Sequence, residues 1–200
     1  MGFPSATHLV AHCQTENQAR YVLESIARRM MEVGLELNRE KTRIVYCKDS
    51  RRKGSYEYER FDFLGYTFRP RLAKSRNGSY FVSFLPAVGD DVRREIGSEI
   101  RSWRIARRSG SNLSDLARIM NPTVQGWVNY YGRFYRSRLT MVLRHLNDVL
   151  VRWAMRKYKR LHRRPVQAVR WLADVYRRSP ILFAHWQVGA KPGGWTVGAG

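Results

Sequence analysis

Between residues 101 and 178 the chain carries 19 Lys and Arg against 3 Asp and Glu, while apolar residues recur through the same stretch at helical spacing. That combination leaves few folds open. The apolar stripe must be buried, and the cations must stay in water or meet an anion. All of these cations except Lys157 and Lys159 are arginine, whose planar fork pairs with phosphate bidentately and stacks on bases. Residues 1–100 are nearly balanced, with 17 basic and 13 acidic side chains, and Lys191 is the one charge after 178, so most of the net +21 sits in one stretch. A solvated basic face without a partner is the plain alternative. A helix stabilised only by itself would alternate signs at i, i+4, yet Arg144, Arg152, Arg156, Lys157, Lys159, Arg160, Arg163 and Arg164 have only Asp148 among them. A polyanion, nucleic acid first, is the expected partner.

The first half reads as α/β. Residues 9–13 and 42–47 are expected as short strands. Thr15 to Gln18 has a capping-box pattern opening a helix with Ala19, Val22, Leu23, Ile26, Met30 and Val33 on one stripe, and Gly34 stands at its C-cap. Residues 48–60 read as a loop or frayed hairpin. Residues 61–68 are expected as one strand with Gly65 inside it, and 80–85 as another. Asn77-Gly78 is expected as a type I′ turn between them, and Pro86 as the stop.

The second half reads as all-α. Asp90-Asp91 is expected to cap a helix carrying Val92, Ile96, Ile100 and Trp103. A short helix over 113–120 is expected next. Asn121 as N-cap and Pro122 at the first position would open another, burying Val124, Trp127, Val128 and Tyr131. One long helix is expected after Ser137, with Leu139, Leu143, Leu146, Leu150 and Trp153 inward. A last one runs from Pro165, and Pro180 breaks it. The Gly-rich tail from Lys191 is expected to be mobile. The fold class is therefore α+β, with a first domain over 1–86, an all-helical domain over 87–178 and a C-terminal block over 179–200.

Trp127, Tyr131 and Phe134 are expected on one helix side as core. Arg133, Arg136 and Arg138 are expected to face phosphate. His12, Cys13 and Cys47 lack metal-ligand spacing and read as a buried pair of thiols near a histidine. No GxxxxGK[ST], GxSxG or HExxH occurs. With two cysteines, no long apolar run and no signal-like N-terminus, a cytoplasmic protein without membrane contact is expected.

Four blocks carry a family resemblance. They are Gly34 to Ile44 with its Lys41-Thr42 before a strand, the Phe61-Asp62-Phe63-Leu64-Gly65-Tyr66 block, Asn121-Pro122 through Gly126-Trp127-Val128-Asn129-Tyr130-Tyr131, and Phe183-Ala184-His185-Trp186. Together they resemble the C-terminal half of a bacterial group II intron-encoded reverse transcriptase and maturase. The resemblance implies the end of a palm with a helix and short antiparallel strands, then a thumb or maturase-specific helical domain. It implies binding of group II intron RNA to support splicing, with an RNA–DNA primer-template duplex as a further partner. The expected nucleic-acid contacts are Lys41 and Gly65 together with the cations read from charge, Arg133, Arg136, Arg138, Arg144, Arg152, Arg156, Lys157, Arg160, Arg163 and Arg164, and Pro122, Gly126, Trp127, Tyr130 and Tyr131 form the centre of the maturase motif.

One departure stands beside it. Where the family has Tyr-Ala-Asp-Asp before its His-Cys strand, this chain has Ser5, Ala6, Thr7 and His8. Full-length members require Mg²⁺, which needs carboxylates to hold it. No catalytic residue, metal site or cofactor is therefore expected here. The alternatives are one part of a split RNA-directed DNA polymerase, completed by a palm and fingers polypeptide, or a degenerate fragment without a retained role.

Overall fold

The computed structural model describes residues 9–52 and 54–193. It is α+β, a three-stranded antiparallel sheet followed by a mostly helical region. The chain divides into two compact units. One comprises residues up to Leu64 together with Phe68–Leu85, and the other Gly65–Thr67 together with the chain from Pro86.

The first unit opens with α1, Glu16–Glu32. The Thr15 hydroxyl accepts from the Gln18 amide at 3.2 Å, as an N-cap should. The Gln18 side chain reaches one residue further back than a capping box requires and accepts from the Gln14 amide at 2.8 Å. The helix ends in a Schellman motif. Gly34 takes φ +74°, its amide donates to Met31 at 3.1 Å, and the Leu35 amide donates to Met30 at 2.9 Å. Residues 9–13 and 42–47 are not strands. A strand needs a neighbour for its backbone groups, and no ladder forms at either segment among the described residues. The second segment is tied down by a single bond, Tyr46 N–H to Tyr58 O at 2.8 Å, and just beyond it Ser50 N–H donates to Val82 O at 3.0 Å.

The expected strand over 61–68 is two strands. β1 is Phe61–Phe63 and β2 is Tyr66–Lys74. Leu64 and Gly65 between them have φ +49° and +78°, the two positive values of a type I′ hairpin. The turn expected at Asn77-Gly78 is a three-residue loop instead. The Ser75 amide bonds Ser79 O at 2.8 Å and the Gly78 amide bonds Ser75 O at 3.0 Å. Only Gly78 has a positive φ there. This is a type I turn followed by a left-handed glycine. β3, Tyr80–Val88, runs through Pro86 rather than stopping at it. β3 lies at the sheet edge, where a missing N–H is tolerated. Phe61 stacks on Phe68 with centroids 4.7 Å apart. Of the described residues in this unit, only Arg71 is buried, its Nε donating to Leu85 O at 3.1 Å.

The second unit holds the core. α2, Asp90–Ser102, buries Val92, Ile96 and Ile100. Its N-cap is Gly89, and Asp90 and Asp91 lie in the first turn without a side-chain cap bond. There they complement the helix dipole and pair with Arg93 and Arg94. α3, Leu113–Tyr131, is one helix, not two. It opens with a capping box, Asn112 Oδ1 accepting from the Asp115 amide and Asp115 Oδ2 from the Asn112 amide, both at 3.0 Å. Pro122 lies inside it and removes one backbone bond. Fully buried Met120 and Val124 on either side hold the helix in spite of that loss. Asn121 is not a cap. Its Nδ2 donates to Leu182 O and its Oδ1 accepts from the Ala184 amide, both at 2.9 Å.

The long helix expected after Ser137 is α4, Arg136–Leu143, and α5, His145–Lys157. The break at Arg144 is a local tightening, with the Asn147 amide bonding Arg144 O at 2.9 Å. α6 is Pro165–Arg178 and α7 is Ala184–Gln187. Trp153, Leu146, Leu150, Leu172, Phe183 and Trp186 are buried together.

Asn147 ties the C-terminal segment to this core. Its Oδ1 accepts from Trp186 Nε1 at 2.8 Å, and its Nδ2 donates to Ala190 O at 2.9 Å. An indole N–H can only donate, which fixes the amide orientation. His185 Nε2, 3.0 Å from the same oxygen, must therefore carry the proton. Its Nδ1 is left without a partner. Burial pushes the His185 pKa down from its ordinary 6.5 to about 3.

Two outcomes follow. Asn147→Leu strands two buried donors and a carbonyl, so denaturant unfolding should show a loss of about 3–5 kcal/mol. A loss under about 1 kcal/mol would contradict the role given to Asn147. His185 is neutral when folded, and its folded pKa lies below the unfolded value. Its contribution is fully present above pH 6.5 and is lost as pH falls toward about 3, at up to about 1.4 kcal/mol per pH unit. Stability should fall more steeply with acid in the native protein than in His185→Gln, and equal slopes would refute this.

Candidate nucleic-acid interface

The cations of the helical unit divide by what they touch. Lys157 turns inward. Its Nζ donates to Ser109 O at 2.8 Å and to Ser111 O at 2.6 Å, and lies over the Trp153 ring. It closes the loop before α3 rather than facing phosphate. Arg108 Nε donates to Trp103 O at 3.1 Å, and Arg156 Nη1 reaches Ala106 O at 3.5 Å. Arg138 has a carboxylate after all, Asp90 at 4.0 Å. These interactions correct the expectation that all the basic residues of the segment wait for an external anion.

The others are exposed. Arg133, Arg136, Arg144, Arg152, Arg160, Arg163 and Arg164 lie on the surface. None of them forms a salt bridge among the described residues, although Arg152 lies close enough to Asp148 for its charge to favour that carboxylate. Arg160 and Arg164 line an open groove of about 780 Å³ together with Arg170, Arg177 and Arg178. The wall they share is α6. Gln167, Arg170, Asp174 and Arg177 recur at steps of 3, 4 and 3, and Arg164, Trp171 and Arg178 at steps of 7. Both spacings return to one helix face. Asp174 pairs with Arg177. Trp171 forms part of the floor, 5.2 Å from Tyr158 and 6.4 Å from Trp153 between ring centroids. Arg170, Arg177 and Arg178 were not among the residues singled out from the sequence, although the spacing of α6 already carried the signal.

The maturase-like block is split between core and surface. Trp127 stacks on Trp103 at 5.8 Å, and Tyr131 meets Tyr66 edge-on at 5.4 Å. Both are partly buried against the core. Phe134 is not on their helix, since α3 ends at Tyr131, and it is 49% exposed beside Tyr66. Pro122, Gly126 and Tyr130 are exposed, at steps of four along α3. A methyl group on Gly126 would meet nothing within 4 Å. Gly65 has the opposite environment. A Cβ there would lie 2.8 Å from the Tyr131 hydroxyl and 2.9 Å from Val92, so packing accounts for that glycine without nucleic acid. Lys41 is exposed in the other unit, in a turn where its amide bonds Asn38 Oδ1 at 3.0 Å.

Among the described residues no three of His, Cys, Asp or Glu stand together to hold a metal ion. The Ser5 to His8 positions lie outside the described residues. Cys13 and Cys47 are free and half-buried, not a buried pair, and burial raises the Cys47 pKa. Among the described residues no helix is long and apolar enough to cross a membrane.

Residues 93–171 match the family model described as the group II intron, maturase-specific domain. The match runs from α2 into α6 and covers about two fifths of the chain. It supports a maturase domain in the helical unit. No curated protein and no solved structure matches the chain.

Lys157→Met separates the inward cation from the surface ones. It should lower stability in denaturant by about 1–3 kcal/mol, the range for a hydrogen bond from a charged donor. RNA affinity of the folded protein should stay within about twofold of native, because no phosphate contact is removed. A large loss of affinity with unchanged stability would return Lys157 to the interface.

Proposed function

We propose that this chain is an RNA-binding, maturase-type module that grips structured group II intron RNA and favours its splicing-competent fold, leaving the chemistry to the RNA. The observation that carries the reading is the exposed arginine surface of the helical unit, within a segment that matches the maturase-specific domain. Arginines without internal acids neutralise phosphates. Phosphate neutralisation along a folded RNA reads shape rather than sequence. Pro122, Gly126 and Tyr130 add an exposed strip of α3 to that surface.

The reading needs no polymerase site in this chain. Thr7 and His8, at the positions of the family's aspartates, lack the charge that two-metal chemistry demands. A second reading is favoured by one observation. α1 buries none of its residues, and Tyr21, Met31 and Val33 are well exposed. On that reading the first unit completes a polymerase whose remaining palm and fingers, with their Mg²⁺ carboxylates, belong to another polypeptide, and a primer-template duplex is a partner as well.

The test is filter binding to group II intron RNA against unrelated structured RNA of equal length. Arg144→Ala, Arg152→Ala and Arg160→Ala combined should weaken intron RNA binding by about 10–100-fold at ~0.15 M salt, as expected for three lost phosphate contacts, with helicity unchanged by circular dichroism. Unchanged affinity would remove this surface from the function.

A further inference from the structure

The groove along α6 is built unlike the rest of the basic surface. Arginines alone would serve a duplex, which offers a protein mainly phosphate and sugar. Here the arginines of the rim surround an apolar floor, the indole of Trp171 and the side chain of Leu161. Within the same groove stand Asp174 and Gln167. A carboxylate repels phosphate, so its presence weakens a site meant for phosphate alone. It is a good acceptor for the exocyclic amino group of a base. Gln167 can both donate and accept. A π-face on the floor, hydrogen-bonding groups on the wall and cations at the rim match the three parts of one unpaired nucleotide: base, base edge and flanking phosphates.

We propose that this groove captures an unpaired nucleotide of a folded RNA, a bulged or loop base, with the base over Trp171, its amino edge on Asp174 and the adjoining phosphates on Arg164, Arg170 and Arg178. The proposal rests on the RNA-binding reading above and adds which part of the RNA the α6 face recognises. Asp174 is held for this purpose by Arg177, its neighbour at i+3. Trp171 is held by Tyr158 and Trp153 behind it. Trp171 is thus positioned before any RNA arrives, which lowers the ordering cost of binding.

The experiment compares two RNA hairpins by fluorescence anisotropy at ~0.1 M salt with the full chain. One hairpin is fully paired and the other carries a single bulged cytidine. The native protein should bind the bulged hairpin about tenfold more tightly, the low end of what one stacked base contributes. Arg170→Ala with Arg178→Ala, both exposed residues, should abolish that preference without loss of helicity. Asp174→Asn tests the base edge independently. The native chain should prefer a bulged cytidine over a bulged uridine by about fivefold, and the variant should not, since an amide meets the amino group less well than a carboxylate. Equal binding of paired and bulged hairpins, a bulge preference that survives Arg170→Ala with Arg178→Ala, or a cytidine preference that is missing in the native chain or survives Asp174→Asn, overturns the groove while leaving general RNA binding in place. Failure to bind either hairpin overturns the RNA-binding reading itself and the groove with it.

Discussion

Nineteen cations against three acids between residues 101 and 178 repel one another, and the helical unit has to hold together against that repulsion. Two exposed charges 10 Å apart in water repel by about 0.4 kcal/mol before salt screens them. One fully buried Leu or Phe contributes about 1.5–3 kcal/mol. The apolar seam of Ile96, Leu116, Leu139, Leu143, Leu146, Leu150, Trp153 and Leu172 therefore wins, provided the cations stay at distances where water separates them. The structure keeps them apart by turning some inward onto carbonyls. Lys157 holds Ser109 and Ser111, and Arg108 holds Trp103. What remains outside is an arginine surface whose self-repulsion any polyanion relieves.

Two asparagines, Asn147 buried and Asn121 half-buried, set the frame for that surface. Asn121 on α3 and Asn147 on α5 bind the segment 182–190 through both ends of their amides. Each amide replaces backbone partners that an irregular segment cannot find in itself. The segment in turn supplies Phe183 and Trp186 to the core. The aromatic group of Trp153, Tyr158 and Trp171 packs on the same α5, and through Trp171 it reaches the α6 groove. A polar clamp on one helix and an aromatic floor on the next are thus parts of one packed unit.

The sequence was most legible where periodicity and capping agree. The bounds of α1 and the start of α6 follow from Thr15, Gly34 and Pro165, because each acts on backbone within its own turn. Legibility failed where tertiary context overrode a local rule. Asn121-Pro122 has the chemistry of a helix start, yet buried Met120 and Val124 carry α3 through it, and Asn121 spends its amide on residues sixty positions away. Leu64 at φ +49° is a turn that no leucine advertises, so 61–68 reads as one strand. Residues 9–13 and 42–47 have strand composition, but composition cannot supply a partner strand. Charge density could not tell Lys157, turned inward onto carbonyls, from Arg160, turned outward. The arginines of α6 show their shared face in spacing alone, and Asp174 interrupts the run.

The account rests on arginine–phosphate neutralisation, and ionic strength tests it most directly. The measurement is the dissociation constant for structured group II intron RNA across a salt series. Contact with roughly 6–8 phosphates predicts a log–log slope of about −4 to −7. A slope shallower than about −1 would mean that almost no counterions are released on binding, and the exposed arginines of the helical unit would not be an RNA surface.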